Sequence, residues 1–170
     1  MTKDQYGDWC MPPESQELIH SKDPARKTDG AILSTTVYYD LLNKMIGFAR
    51  ICGQDADISG YESLAAKIKA AYNAKFFNKE TAEYGNNTVT ANILSLRLGL
   101  VPEGYEGKVF SNIVKKTEED FNGHVSTGVL GIQHLMRGLT EYGRVDMAYK
   151  ILTNETYPVS YTHLRAHETL

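Results

Sequence analysis

Apolar residues recur at intervals of three and four along most of the chain, which is the spacing of amphipathic helices. The pattern is clearest in "STTVYYDLLNKMIGFARICG", which predicts a first helix capped at Thr28 or Asp29 and stopped at Gly53. One apolar stripe of this helix contains Tyr38, Leu41, Leu42, Met45, Ile46, Ala49 and Cys52. The same spacing predicts a second helix in "YESLAAKIKAAYNAKFFN" and a third in "TANILSLRLGL", which should start at Thr88 or Thr90.

Three further helices are predicted in the second half of the chain. The fourth is "YEGKVFSNIVKKTEEDF", stopped by Asn122 and Gly123, and the sixth is "RVDMAYKILTN". The fifth, "TGVLGIQHLMRGLTEY", is apolar on nearly all sides, so we expect it to be buried, with His134 as a core histidine. No segment has the alternation of a strand. The pattern therefore predicts an all-α chain of six helices.

The connections between these helices differ in length and character. Short segments, "GQDADIS", "LVPEG" and Gly143, join the first helix to the second, the third to the fourth and the fifth to the sixth. Short-linked helices alternate in direction, so the longer segments before the odd-numbered helices should meet at one end. That end would hold Asp8, Trp9, Asn87 and His124. Loops on a rigid frame often carry function, although long loops also collect polar residues without one.

Two of these positions suggest a carbohydrate site. The indole of Trp9 could stack on a sugar ring while the carboxylate of Asp8 accepts bonds from its hydroxyls. A tryptophan tucked into the edge of the core beside an exposed aspartate is the alternative. His124 precedes a Ser-Thr-Gly helix start, where it could hold a substrate hydroxyl or cap local backbone groups.

A complete catalytic pair is not visible in the sequence. Glycoside hydrolysis needs two carboxyl groups that flank the scissile bond. The first loop offers many acids, but Glu80 and Glu83 in the other loops look like solvated charges. The sequence therefore identifies no catalytic residue. His163 and His167 are spaced as on a metal-binding helix, but the rest of a zinc pattern is lacking, so we expect neither metal nor organic cofactor.

Bulk composition narrows the classes of partner. The 170 residues suit one domain, and a net charge of -3 gives no basic surface for nucleic acid. The apolar runs are short and interrupted by charges, so we expect no membrane span. Cys10 and Cys52 are more simply free thiols than a disulfide, which leaves the compartment open.

Several stretches taken together resemble one family. "QYGDWC", "TVTANILSLRLGLVPE", "GHVSTGVLGIQHLMRGLTEYGRVDMAYKIL" and "NETYP" are similar, in order and spacing, to the catalytic domain of bacterial α-L-rhamnosidases of glycoside hydrolase family 78. The resemblance implies an (α/α)6 toroid, of which residues 1–158 would form about half, as three helical hairpins. It also implies inverting hydrolysis of terminal α-L-rhamnose, with Asp8, Trp9, Asn87 and His124 as sugar contacts.

The departures from the family pattern set further expectations. The family's acid glutamate lies upstream of "GDW", and its base glutamate lies in a later Trp-rich segment absent here, so we expect the chain to be inactive without the remainder of its own domain. Many members carry glutamine where this chain has Val89. Residues 159–170, "VSYTHLRAHETL", resemble translated adapter DNA, and we expect them to be a non-native tail. A non-catalytic helical scaffold, a sugar-binding module and an (α/α)6 glycosidase for another sugar are the alternatives.

Overall fold

The computed structural model describes residues 7–8, 11, 18, 23 and 26–156. These residues form six helices and one small antiparallel hairpin. In chain order the elements are α1 (Gly30–Ile51), α2 (Asp55–Phe76), β1 (Phe77–Asn78), β2 (Glu83–Tyr84), α3 (Val89–Arg97), α4 (Glu106–Glu119), α5 (Val129–Glu141) and α6 (Val145–Thr153). The predicted all-α class is confirmed for this part of the chain.

The helix boundaries follow from local capping chemistry. Asp29 accepts a hydrogen bond from the backbone N–H of Ala31 and caps α1, and Thr88 accepts one from Ala91 and caps α3. The expected stop at Gly53 is also present, since its φ of 68° lies in the left-handed region that glycine adopts most readily. One of the two candidate residues thus caps each of these helices, and the first stop is confirmed.

The boundary between α1 and α2 was predicted wrongly. Of the segment "GQDADIS" only Gly53 and Gln54 lie outside a helix, because α2 already begins at Asp55. Asp55 and Asp57 lie in the first turn of α2, where carboxylates interact favourably with the free N–H groups and the positive end of the helix dipole. A run that looks like a polar linker is thus a charged helix start.

The expectation of no strand was also wrong over a short segment. Phe77 pairs with Tyr84 and Asn78 with Glu83 in a two-residue ladder after α2. The connection turns at Ala82, whose φ is 57°, and the side chain of Asn78 accepts hydrogen bonds from the backbone N–H groups of Glu80 and Thr81. Such a short ladder carries too few alternating positions to be seen in sequence.

Each odd-numbered helix forms a hairpin with the helix that follows it, and α3 packs between α1 and α5. The result is the predicted set of three helical hairpins. The most buried helix is α3, in which all residues from Val89 to Leu96 are buried. The prediction that α5 is buried all round was wrong, since Val129 is 55% exposed and only one face of α5 is covered.

Two glycines let α5 approach α3 closely. A Cβ atom at Gly131 would lie 2.7 Å from the Oγ1 atom of Thr90, and one at Gly138 would lie 2.5 Å from the Cδ1 atom of Ile93. Larger residues at these positions would push the helices apart. None of the helices in the described part of the chain is both long and apolar enough to cross a membrane.

Candidate functional site

The loops before the odd-numbered helices are joined at one end of the molecule. The hydroxyls of Thr28 and Thr88, which precede α1 and α3, lie 2.7 Å apart in a buried hydrogen bond. The side-chain amide of Asn86 donates to the carbonyl of Lys27 at 2.7 Å. These contacts connect the first two loops, and we refer to this region, together with the segment before α5, as the loop end.

Asp8 connects the loop end to α5. Its Oδ2 atom accepts hydrogen bonds from the backbone N–H of Gly128 at 2.7 Å and from the hydroxyl of Thr90. Its Oδ1 atom accepts from the N–H groups of Leu130 and Gly131 at 3.0 and 3.3 Å. Because a carboxylate has about four lone-pair positions, these bonds leave no free acceptor position for a sugar hydroxyl.

Asn87 is held in place by a polar network that sequence reasoning missed. Its φ of 58° lies in the left-handed region, which asparagine tolerates better than most residues. Its Oδ1 atom accepts from the amide of Asn92 at 2.6 Å, and its Nδ2 atom donates to Glu83 at 2.7 Å. Glu83 was expected to be a solvated charge, but it is half-buried and serves as an acceptor.

The signal for this network was present in the third predicted helix. Asn92 is the one amide inside the apolar run "ANILSL", and it is fully buried. A buried amide must find partners for its donors and acceptors. The sequence therefore indicates that this asparagine makes buried hydrogen bonds, although it does not indicate which residues are its partners.

His124 uses both ring nitrogens within the protein. Its Nδ1 atom lies 2.9 Å from the carbonyl of Phe121, which can only accept, so this nitrogen carries a proton. Its Nε2 atom lies 2.9 Å from the hydroxyl of Thr156, beyond the end of α6. The histidine thus fixes the loop before α5 against the segment that follows α6.

Most of the other residues singled out in the sequence lie outside the part of the chain that the structure describes. Trp9 lies outside the described residues, as do Cys10, His163, His167 and the tail 159–170. Cys52 is a free, exposed thiol. Among the residues that the structure describes, no group of three or more His, Cys, Asp or Glu side chains could hold a metal ion.

A polar cleft of about 430 Å³ lies between α1, α3 and α5. Asp40 and Lys44 line it from α1, Arg97 from α3, and His134 and Arg137 from α5. Burial, together with the charge of Arg97, lowers the pKa of His134 below its usual value. The Nδ1 atom of His134 is buried and has no hydrogen-bond partner among the described residues, so this histidine is not the satisfied core residue that the sequence suggested.

Comparison with known proteins places this helical array in a family. The family described as the bacterial alpha-L-rhamnosidase 6 hairpin glycosidase domain matches residues 1–169. The chain belongs to this family. The glycosidase resemblance recognised in the sequence is therefore confirmed, and the three hairpins described above correspond to half of a six-hairpin domain.

Individual relatives agree with this assignment. An alpha-L-rhamnosidase of Formosa agariphila is 30% identical over 92% of this chain and 16% of its own length. One from Alteromonas sp. (strain LOR) is 30% identical over 90% of this chain and 16% of its own length. The chain thus spans about a sixth of these curated relatives.

Solved structures show the same arrangement of helices. The alpha-L-rhamnosidase from Dictyoglumus thermophilum superposes with a TM-score of 0.82 at 30% identity, over 97% of this chain and 18% of that one. The Streptomyces avermitilis alpha-L-rhamnosidase, solved in complex with L-rhamnose, gives a TM-score of 0.81 at 24% identity, over 96% of this chain and 14% of that one. The likeness to the second structure bears on the fold alone.

Proposed function

We propose that this chain is part of an inverting glycoside hydrolase that removes terminal α-L-rhamnose from glycosides or polysaccharides. The observation that carries the proposal is family membership along the matched residues 1–169, with relatives named alpha-L-rhamnosidase at 30% identity. The joined loop end supports it, because a helical frame with loops gathered at one end provides a concave site. The substrate is a carbohydrate, and the reaction requires no cofactor.

No carboxyl group of this chain is assigned to proton transfer. Inversion needs an acid that protonates the leaving group and a base that activates water on the opposite face of the sugar. The acidic side chain best placed at the loop end is Asp8, but four protein groups already donate to it. We propose that both catalytic glutamates lie in other segments of the parent enzyme.

Sugar binding at the loop end is proposed for Trp9, Asn87 and His124. The indole of Trp9 supplies an apolar face for the pyranose ring. Within the described part of the chain the Oδ1 atom of Asn87 accepts a hydrogen bond from Asn92 alone, which leaves a second lone pair for a hydroxyl. The contact of His124 with Thr156 is on the exposed side of the ring, where a sugar hydroxyl could replace it.

The remaining hairpins of the domain are the proposed partner of this chain. The helix α1 carries an exposed apolar stripe that includes Leu41 and Phe48, which are 53% and 59% exposed. On α6, Tyr149 is 69% exposed. Apolar stripes of this kind on opposite ends of a three-hairpin array are what neighbouring hairpins would cover.

Two measurements test the proposal. For a gene product that contains the complete domain, hydrolysis of p-nitrophenyl α-L-rhamnopyranoside followed by NMR should show the β anomer of rhamnose first. For the present chain, emission from its single tryptophan should shift or quench on titration with millimolar L-rhamnose, while L-fucose leaves it unchanged. Absence of rhamnosidase activity in the complete domain, or release of the α anomer first, would refute the activity or the inversion, respectively.

A further inference from the structure

The helix α5 begins without a cap of its own. Its N-cap position is Gly128, which has no side chain, and its first turn contains no acidic residue. The first N–H groups of a helix have no partner within the helix and need one from outside. By contrast, α1 and α3 are capped locally by Asp29 and Thr88.

Asp8 supplies the missing cap from 120 residues away in sequence. Its two oxygens accept from three N–H groups at the start of α5, at 2.7, 3.0 and 3.3 Å. A carboxylate at this point also interacts favourably with the positive end of the helix dipole. The contact is partly buried, so water screens it less than it would a surface pair.

The same carboxylate also binds α3. Thr90, in the first turn of α3, donates its hydroxyl to the Oδ2 atom that accepts from Gly128. Thr90 can lie this near because Gly131 presents no Cβ atom to it. Asp8 therefore connects three separate pieces of the loop end, namely its own segment, the start of α3 and the start of α5.

We propose that Asp8 is a positioning residue of the sugar site, which holds residues 7–8 on the starts of α3 and α5. This role rests on the proposed function of the loop end. It differs from the hydroxyl acceptor that the sequence suggested, because the carboxylate is fully engaged with protein donors. Gly7, which precedes Asp8, has a φ of 62°, a left-handed conformation that glycine adopts without strain.

The experiment separates positioning from helix capping. Asp8→Ala removes the carboxylate, and Asp8→Ala combined with Gly128→Ser returns a local cap to α5, since the ψ of -163° at position 128 is extended, as at other N-caps. Asp8→Asn is a milder variant that keeps one acceptor oxygen. Thermal melting reports the cap, acrylamide quenching of Trp9 without sugar reports the tether, and rhamnose titration reports the site.

We expect the double variant to regain the melting temperature of the wild type, while acrylamide quenches its tryptophan more strongly than that of the wild type. Its apparent Kd for rhamnose should stay weaker by about tenfold, because the contact residues are no longer preorganised, and Asp8→Asn should fall between. Wild-type quenching together with wild-type affinity in the double variant would overturn the proposal, since capping alone would then explain Asp8. Acrylamide quenching is measured without sugar and therefore tests the tether independently of rhamnose binding. A wild-type chain that does not bind rhamnose would refute the sugar site but not this test of the tether.

Discussion

The buried Oδ1 atom of Asn92 accepts a hydrogen bond from the backbone N–H of Tyr84 at 2.9 Å and so fixes the β-hairpin to α3. The Nδ2 atom of Asn92 donates to Asn87 at 2.6 Å. We expect Asn92→Asp to lower the free energy of unfolding by about 1–3 kcal/mol, because the donor is lost and two acceptors then face each other. Urea denaturation measures the change.

Asn43→Asp is the matched control for this substitution. Asn43 is exposed on α1, so the same change of chemistry should alter stability by less than about 0.5 kcal/mol. Equal effects at the two positions would show that the buried network does not contribute as described.

The close approach of α3 and α5 at Gly131 makes a second prediction. A Cβ atom at this position would meet the Cβ atom of Thr127 and the Oγ1 atom of Thr90, each at 2.7 Å. We expect Gly131→Ala to destabilise the chain by about 1–3 kcal/mol, since a packed junction has no room for a methyl group. Thermal melting followed by circular dichroism measures it.

For Gly47→Ala we expect the opposite effect on stability, although this glycine also lies inside an α-helix. Apart from the backbone of α1 itself, no atom of the described residues lies within 4 Å of a Cβ atom built at Gly47 in the middle of α1. Alanine should therefore stabilise the helix by about 0.5–1 kcal/mol. If both alanine variants were stabilised, the helices would not be in the close contact seen at Gly131.

The outcome for each element shows what the sequence could and could not predict. The caps at Asp29 and Thr88 and the stop at Gly53 are local, so the pattern of residues was enough to find the stop and to narrow each cap to two candidates. The cap of α5 could not be found in this way, because its carboxylate comes from Asp8, 120 residues earlier. Local signals thus predict element boundaries, whereas contacts across the loop end depend on the tertiary arrangement.

A similar limit applies to burial. The glycines of α5 made the helix look buried on all sides, but Gly131 and Gly138 lie on the one face that contacts α3. The sequence does not show that the opposite face, with Val129 and Leu130, is left exposed in this chain. The apolar composition of a helix predicts that its surface is buried against another segment, but it does not identify that segment.

The environment of His134 predicts a pH dependence of stability. Its ring faces Arg97 of α3, Arg137 of its own helix, and Asp40 and Lys44 of α1. Burial is the largest cause that lowers the pKa of His134 below 6.5, and the charge of Arg97 is the next. The unfolded chain therefore binds a proton at this histidine more readily than the folded chain does. The free energy of unfolding should therefore fall as the pH drops through about 6.5, and the loss should be absent at higher pH.

His134→Gln should make the melting temperature less dependent on pH between about 7.5 and 5.5, because no proton is taken up at this position. Gln133→Ala, one residue earlier on α5, removes no titrating group and should keep the dependence of the wild type. An unchanged pH dependence in His134→Gln would mean that other groups account for the loss at acid pH.

The exposed apolar stripes on α1 and α6 predict how the chain behaves alone. The α1 stripe contains Val37, Leu41, Met45 and Phe48, and the α6 stripe contains Val145, Tyr149 and Leu152. Without the proposed neighbouring hairpins, these surfaces should associate with one another at about 10 to 100 μM. We expect size-exclusion chromatography with light scattering to show a mass that rises with concentration.

Substitution on either stripe identifies the surface responsible. Leu41→Glu and Tyr149→Glu should each reduce association because they place a charge in an apolar contact, whereas Ser63→Glu on exposed α2 adds the same charge elsewhere and should not. Helical content measured by circular dichroism should stay the same in all three variants.

A second experiment uses the complete domain. If the stripes bind the remaining hairpins, they are covered in that domain, so Leu41→Glu should lower its melting temperature, while Ser63→Glu should leave the melting temperature unchanged. A wild-type chain that stays monomeric at these concentrations would count against both expectations, since these stripes would then be stable in water without a partner.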